Sequence, residues 1–309
     1  MDYRIEAQLQ QIYDRTRGPV AFCDESYRIS PAGQVGFYSI TAVICDRQQL
    51  GSTRDALVAV AGRRPWHTTQ EYEAGRDHRI HQMLNAVAAG SQWGILTVHA
   101  PVNGHDGKAH ADARASCLKT LLPEITRGTD PVRVVVMDTL GDDRKDGADR
   151  RLAAQLRGDR TIGPQTLLRH ADDRHEPLLW APDVVGWAAR RLLARDETHW
   201  FAHVLDVSTV LDARTGARLD GVQLYNSAVA AAAPTTPDGG AGLTPAVTGS
   251  ARPPLLPASS SPNAREVARR SASRSMSELL RQAAAAPPTL TPPAARPAAG
   301  RRPPPTRSR

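Results

Sequence analysis

Three acids in this chain stand where a carboxylate can be aimed at a substrate. Asp24 follows the apolar run Pro19-Val-Ala-Phe-Cys23 and is itself followed by Glu25 and Ser26. Asp138 closes a second run, Val132-Arg-Val-Val-Val-Met137. Asp183 follows Trp180-Ala-Pro182 at the start of an amphipathic segment. Carboxylates brought to one point repel each other until a proton or a cation neutralises them. All-oxygen donors suit a hard divalent ion, magnesium first and manganese as its substitute. Such a centre would attack a phosphodiester, activating water and stabilising the leaving oxygen.

Each acid also has a plainer use. Asp183 at a helix start interacts favourably with the helix dipole, worth about 0.3–1 kcal/mol. Asp138 suits the first position of a turn. Asp24 and Glu25 suit the solvated end of a hairpin. The joint pattern, two strand ends and a helix start, favours the functional reading.

Certain elements must position these groups. Side chains alternate along a strand, so Asp24 shares a face with Phe22 while Glu25 shares the other with Cys23. Asp24 is therefore expected in the site, with Glu25 behind it or structural. If strands 19–24 and 132–137 run parallel as neighbours, about 5 Å separates their backbones. Pro182 suits the first helical position. Gly186 shares a helix face with Asp183, Trp187 and Arg190, and its small size would let the helix approach the sheet closely.

Further periodicities fill in the chain. They predict a short helix around Ile5–Tyr13, a strand at 19–24, a Ser-Pro-Ala-Gly turn at 30–33 and a hairpin partner at 35–45. Helices follow from Ser52 or Thr53 to Ala61 and over 70–89. A strand at 93–100, a helix at 111–127 and the strand at 132–137 come next. A helix at 149–157, a strand at 164–169, a helix at 181–195 and one or two late strands in 199–225 complete the list. Strands alternating with helices argue for an α/β layered domain, and the early hairpin for a mixed sheet.

Composition divides the chain near residue 225. Residues 226–309 hold 11 Arg against 3 acids, a net of +8, and no aromatic residue. The remainder is nearly neutral, because the whole chain carries only +7. The expected organisation is one α/β domain over 1–225 and a disordered Ala/Pro/Ser/Arg-rich tail over 226–309. A short helix at 264–284 is the one candidate element within the tail. A near-neutral domain lacks the charge of an obligate duplex binder. The tail's arginines fit a nonspecific tether to nucleic-acid phosphates, and without aromatics they offer no base stacking. Cys23, Cys45 and Cys117 have no metal-ligand spacing and read as buried thiols of a reducing compartment. The start of the chain lacks an apolar signal core, and no run approaches the roughly 18 apolar residues of a membrane span. A cytoplasmic protein without membrane association is expected.

Asp24-Glu25-Ser26 after an apolar strand resembles the opening of the domain-of-unknown-function 3800 family. Gly36-Phe-Tyr-Ser-Ile-Thr-Ala-Val-Ile44 is similar to that family's second strand, and Val134-Val-Val-Met-Asp138 to its later strand ending in an acid. Leu178-Leu-Trp-Ala-Pro-Asp-Val-Val-Gly186 resembles its terminal helix. The resemblance covers about residues 19–195. It implies a ribonuclease H-like fold, a mixed β-sheet flanked by helices, with Asp24, Asp138 and Asp183 as catalytic metal ligands. Tyr27 stands where the family has Gly, and Trp180 and Pro182 depart from its Gln and Ala pattern. A family Glu-x-Lys element is absent, leaving Glu71 or Glu73 as alternative fourth acids. His67, after Trp66, matches an aromatic-His element of some relatives and would contact substrate or carry protons.

Other groups are less directed. His78 and His81 are three apart on a helix, without a third zinc ligand nearby in sequence. His99, His105 and His110 flank a Gly-containing loop that has no phosphate-binding Gly-Lys-Ser signature. Ser26 and Ser39 lack a hydrolase nucleophile's turn. Asp142, Asp143 and Asp146 do not form a calcium loop. The leading expectation is a magnesium-dependent nuclease. Its alternatives are a non-catalytic interaction module of the same fold, tied to mobile elements or phage defence, and a hydrolase of other phosphorylated substrates.

Overall fold

A computed structural model describes residues 7–28, 36–62, 64–102, 107–195 and 197–219. Six strands form one sheet: β1 (Val20–Arg28), β2 (Phe37–Cys45), β3 (Trp93–His99), β4 (Val134–Asp138), β5 (Leu167–Ala171) and β6 (Ser208–Asp212). Their order across the sheet is β5-β4-β1-β2-β3-β6. β1, β2 and β3 run as an antiparallel meander, and β4, β5 and β6 each join a neighbour in parallel. This is the mixed, helix-flanked sheet expected of a ribonuclease H-like domain.

Period-two alternation sorts the side chains of β1 between two cores. Val20 and Phe22 join Val134 and Val136 on one face, under α2 (Leu50–Ala61), α4 (Asp77–Gly90) and α7 (Trp180–Arg195). Ala21 and Cys23 join Val135 and Met137 on the other, under α5 (Gly107–Ile125) and α6 (Asp143–Gly158). β2 lies centrally with both faces covered, so all nine of its residues are buried. Its aromatic and β-branched content follows from that position. The three cysteines are free and buried, as expected.

A fully buried carboxylate pins the approach to α7. Glu176 accepts from Arg54 Nε at 3.0 Å, Tyr13 Oη at 2.9 Å and the Leu178 amide at 3.1 Å. Tyr13 belongs to α1 (Ala7–Arg15) and Arg54 to α2, so three elements meet on one charge. Burying it is tolerable because the guanidinium and hydroxyl satisfy it.

Several boundaries differ from the sequence reading. The single helix expected over 70–89 is two, α3 (Thr68–Glu73) and α4, broken at Gly75 with φ +67°. That backbone angle belongs to glycine. Glu71 bridges the break by accepting from Arg76 and Arg79 at 2.7 and 2.8 Å. α6 begins at Asp143 rather than 149, because Asp142 caps it by accepting from the Arg144 amide. Its first turns are too polar to show an apolar stripe. α5 begins four residues earlier than expected, and β5 is shifted from 164–169 to 167–171. Among the described residues the late region contributes one strand, β6, preceded by a short helix, α8 (Thr198–Phe201). The expected turn at 30–33 and the whole 226–309 segment with its helix at 264–284 lie outside the described residues. Among the described residues no helix is long and apolar enough to cross a membrane.

α7 crosses β1 and β2 where Gly186 meets the sheet. A Cβ at Gly186 would lie 3.0 Å from Thr41 Oγ1 and 3.7 Å from Ser26 Cβ. Gly186→Val should therefore lift the helix and cost about 1–3 kcal/mol, the usual penalty of overpacking. Thermal unfolding followed by circular dichroism should show a drop of several degrees. An unchanged midpoint would mean the contact is not limiting.

Candidate functional site

The parallel register of β1 and β4 pairs Val20 with Val134 and continues to Cys23 with Met137. One step further sets Asp24 beside Asp138 on the α7 face of the sheet. Asp138 pairs in turn with Ala171 of β5, and the Thr139 amide donates to the Ala171 carbonyl at 3.0 Å. The chain leaves β5 through Asp172 and Asp173 at the same edge. Asp183 arrives from the first turn of α7. Asp24, Asp138, Asp172, Asp173 and Asp183 line one cleft of about 380 Å³, with His67 and Leu140 among its other walls.

Local chemistry fixes each group. Asp183 Oδ2 accepts from both the amide and the hydroxyl of Thr68, at 3.1 and 2.7 Å. The Thr68 hydroxyl accepts from Trp66 Nε1 at 2.8 Å, and Trp66 is buried. Asp24 Oδ1 accepts from the Glu25 amide at 2.7 Å. Trp180 Nε1 donates to the Asp173 carbonyl at 3.0 Å and anchors the loop after β5. The loop after β4 is held by Asp146, which accepts from Thr139 Oγ1 at 2.6 Å and from the Leu140 amide at 3.2 Å.

The electrostatics are those of crowded, under-neutralised carboxylates. Burial pushes Asp24 well above the usual carboxylate range, and the charges of Asp183 and Asp138 push it further. Asp138 is pushed up to about 7, by burial first and then by Asp173. Burial raises Asp183 against the opposing hydrogen bonds of Thr68. Asp173 is raised by burial, with His67 Nδ1 3.8 Å away working against it. Asp172 is different: Arg174 Nε donates to it at 2.8 Å and holds it low and ionised. Among the described residues Asp24, Asp138 and Asp183 form no ion pair with a basic side chain.

The cleft thus gathers Asp24, Asp138, Asp183 and His67 of the residues singled out from sequence. It does not gather Glu25 or Glu71. Glu25 lies across the sheet, where Arg114 and Tyr38 donate to it. Glu71 is buried and clamped by Arg76 and Arg79, and Glu73 is exposed at the end of α3. Asp173 was missed in sequence. Its signal was the pattern used for the other strands, an apolar run ending on acids, hidden by the misplaced end of β5. His81 does find a distant histidine, its Nδ1 lying 2.8 Å from His203 Nε2, and its ring stacks on Trp200. His99 is half-buried in β3, and His105 lies outside the described residues.

The carboxylate donors match a hard divalent cation in kind. Their spacing is more open than a closed centre: among the described residues no three His, Cys, Asp or Glu side chains stand close enough to hold a metal ion. A cation would have to draw the carboxylates inward.

The raised acid gives a signed pH dependence. With its carboxyl raised from 3.8 to about 7, folded Asp138 keeps a proton that the unfolded chain releases. Its stabilising contribution is complete below the unfolded value and is lost as pH rises through about 7. In chelator, the melting temperature should fall across this window, and Asp138→Asn should flatten part of that fall. A slope unaffected by the substitution would exclude Asp138 as the titrating group. No family model matches the chain, and no curated protein matches it. Among solved structures it is similar to the ribonuclease H2 from Pyrococcus horikoshii OT3, at 13% identity and a TM-score of 0.33, over 56% of this chain and 72% of that one.

Proposed function

We propose that the cleft holds divalent cations, magnesium or manganese, and that the protein is a metal-dependent phosphodiesterase acting on nucleic acid. The observation that supports this best is the meeting of Asp24, Asp138 and Asp183 from three separate elements, with no ion pair to a basic side chain among the described residues. A structural role would ordinarily pair such acids with arginine, as happens here at Glu176, Glu71 and Asp172. In this reading Asp24, which feels both other charges, is the shared ligand, and Asp138 and Asp183 complete the set. Asp173 is the fourth acid. A cation held there would supply Lewis-acid chemistry at a phosphate.

The chain's own groups do the positioning. Thr68 fixes one oxygen of Asp183 and so orients the carboxylate. The Asp146 bonds hold the β4–α6 loop and thereby the backbone of Asp138. His67, exposed and close to Asp173, exchanges protons between the cleft and solvent. The Arg-rich segment beyond 225, outside the described residues, adds a nonspecific tether to phosphates. One observation favours a second reading, a non-catalytic binding domain: the open spacing of the carboxylates.

Cation binding to the folded form alone should raise the melting temperature. At a hundredfold excess over Kd the gain is about 2.7 kcal/mol, or about 5–10 °C for a domain of this size. Asp24→Asn combined with Asp138→Asn should abolish the rise. It should also abolish cation-dependent cleavage of single-stranded, duplex and hybrid substrates. No thermal response and no cleavage would leave the binding-domain reading. Separately, truncation after Tyr225 should preserve the melting transition and reduce the salt dependence of polyanion binding. An unchanged salt slope would refute the tether.

A further inference from the structure

Across the sheet from the acids lies a second recess of about 330 Å³, between the end of β1 and the helices α5 and α6. Its floor is aromatic. Tyr27 and Tyr38 are register partners in β1 and β2, and their rings stack with centroids 6.0 Å apart and planes 6° from parallel. His110 of α5 tilts onto both, 5.2 Å from the Tyr27 ring and 6.2 Å from the Tyr38 ring. Tyr27 remains 44% exposed, the one exposed large hydrophobic side chain among the described residues.

The lower ring of the platform is anchored by hydrogen bonds. Buried Arg114 donates to the Tyr38 hydroxyl at 3.0 Å, to Glu25 and, through Nη2, to Asp149 at 2.8 Å. The Tyr38 hydroxyl donates to Glu25. These bonds fix the lower ring and match the charge of Arg114 with carboxylates. The cations left for a ligand are Lys119 and Lys145, which line the recess, are exposed and form no ion pair among the described residues. An aromatic surface with an anchored lower ring, an open upper ring and two exposed ammonium groups suits a flat, anionic ligand. An apolar side chain would fill the recess without using either lysine.

We propose that this recess binds one nucleotide, its base stacking on Tyr27 and His110 and its phosphate facing Lys119 and Lys145. The volume suits a single such unit. Leu140 lines both this recess and the acidic cleft. Tyr27 is three residues beyond Asp24 on the same strand, a span of about 10 Å. A strand of nucleic acid passing over the sheet edge could therefore place a base here and a phosphodiester at the acids. Only the occupant's membership of such a strand rests on the proposed phosphodiesterase activity; the base site does not.

The test is binding in chelator, where cation-dependent cleavage cannot occur, with the full chain. Labelled single-stranded RNA and DNA oligomers are compared with an abasic DNA oligomer of equal length, so that phosphate binding by the tail cancels. Wild type should prefer the base-bearing oligomers by about tenfold, the size of one base–aromatic stack. Tyr27→Ala should remove that preference, and Tyr27→Phe should keep it. Lys145→Ala, at an exposed position, should weaken binding of based and abasic oligomers alike and reduce the salt slope. Competition by a nucleoside monophosphate would identify a free nucleotide as the occupant. Tight oligomer binding without such competition would identify a unit of a strand. Equal affinity for based and abasic oligomers, or an unchanged preference in a normally melting Tyr27→Ala, would overturn the proposal. Absence of cleavage once magnesium or manganese is supplied, with this preference intact in chelator, would count against the catalytic reading alone.

Discussion

The parallel pairing of β1 with β4 is the constraint from which the cleft follows. A slip of one residue would turn Asp138 to the opposite face and bury it under α6. The register is held by apolar burial on both sides. Val20, Phe22, Val134 and Val136 belong to one core, and Ala21, Cys23, Val135 and Met137 to the other. No single-residue shift preserves both sets. The acids therefore occupy their places because the hydrophobic residues before them cannot sit elsewhere.

The sheet also divides two kinds of charged cluster. On the α5/α6 face, Glu25 and Asp149 share Arg114, and His170 lies 3.0 Å from Asp149. His170 and Arg114 hold Asp149 low although burial opposes them. Such pairs are costly to break, about 3–5 kcal/mol when one partner is removed. Their role is to fix geometry. On the α7 face Asp24, Asp138 and Asp183 have no such ion pair among the described residues, and their carboxyls rise. Two adjacent residues, Asp24 and Glu25, thus meet opposite electrostatic environments through strand alternation alone.

Much of this was readable in the sequence, and the reasons are local. Apolar runs ending on Asp24 and Asp138 marked two neighbouring strands, and alternation separated Asp24 from Glu25. The small residue at 186 and the acid at 183 marked the face of α7. What escaped was set by long-range partners or by conformations that leave no hydrophobic pattern. The break at Gly75 rests on a positive φ and is bridged by Glu71 and two arginines. The early start of α6 depends on a cap, its first turns being polar throughout. The Tyr27–Tyr38 platform required the β1–β2 register, and Asp173 required the true end of β5. The closeness of His81 and His203 spans 122 positions and had no local mark.

The hydrogen bonds around Thr68 have a direction. An indole N–H can only donate, so the bond from Trp66 occupies the Thr68 oxygen as an acceptor. The hydroxyl proton points to Asp183 Oδ2, which also receives the Thr68 amide. With two donors facing it, that oxygen has no room for a proton of its own. While both bonds stand, a proton taken up by Asp183 settles on Oδ1. A buried tryptophan, two bonds removed, thereby favours one edge of a carboxyl group as the place where a proton comes and goes.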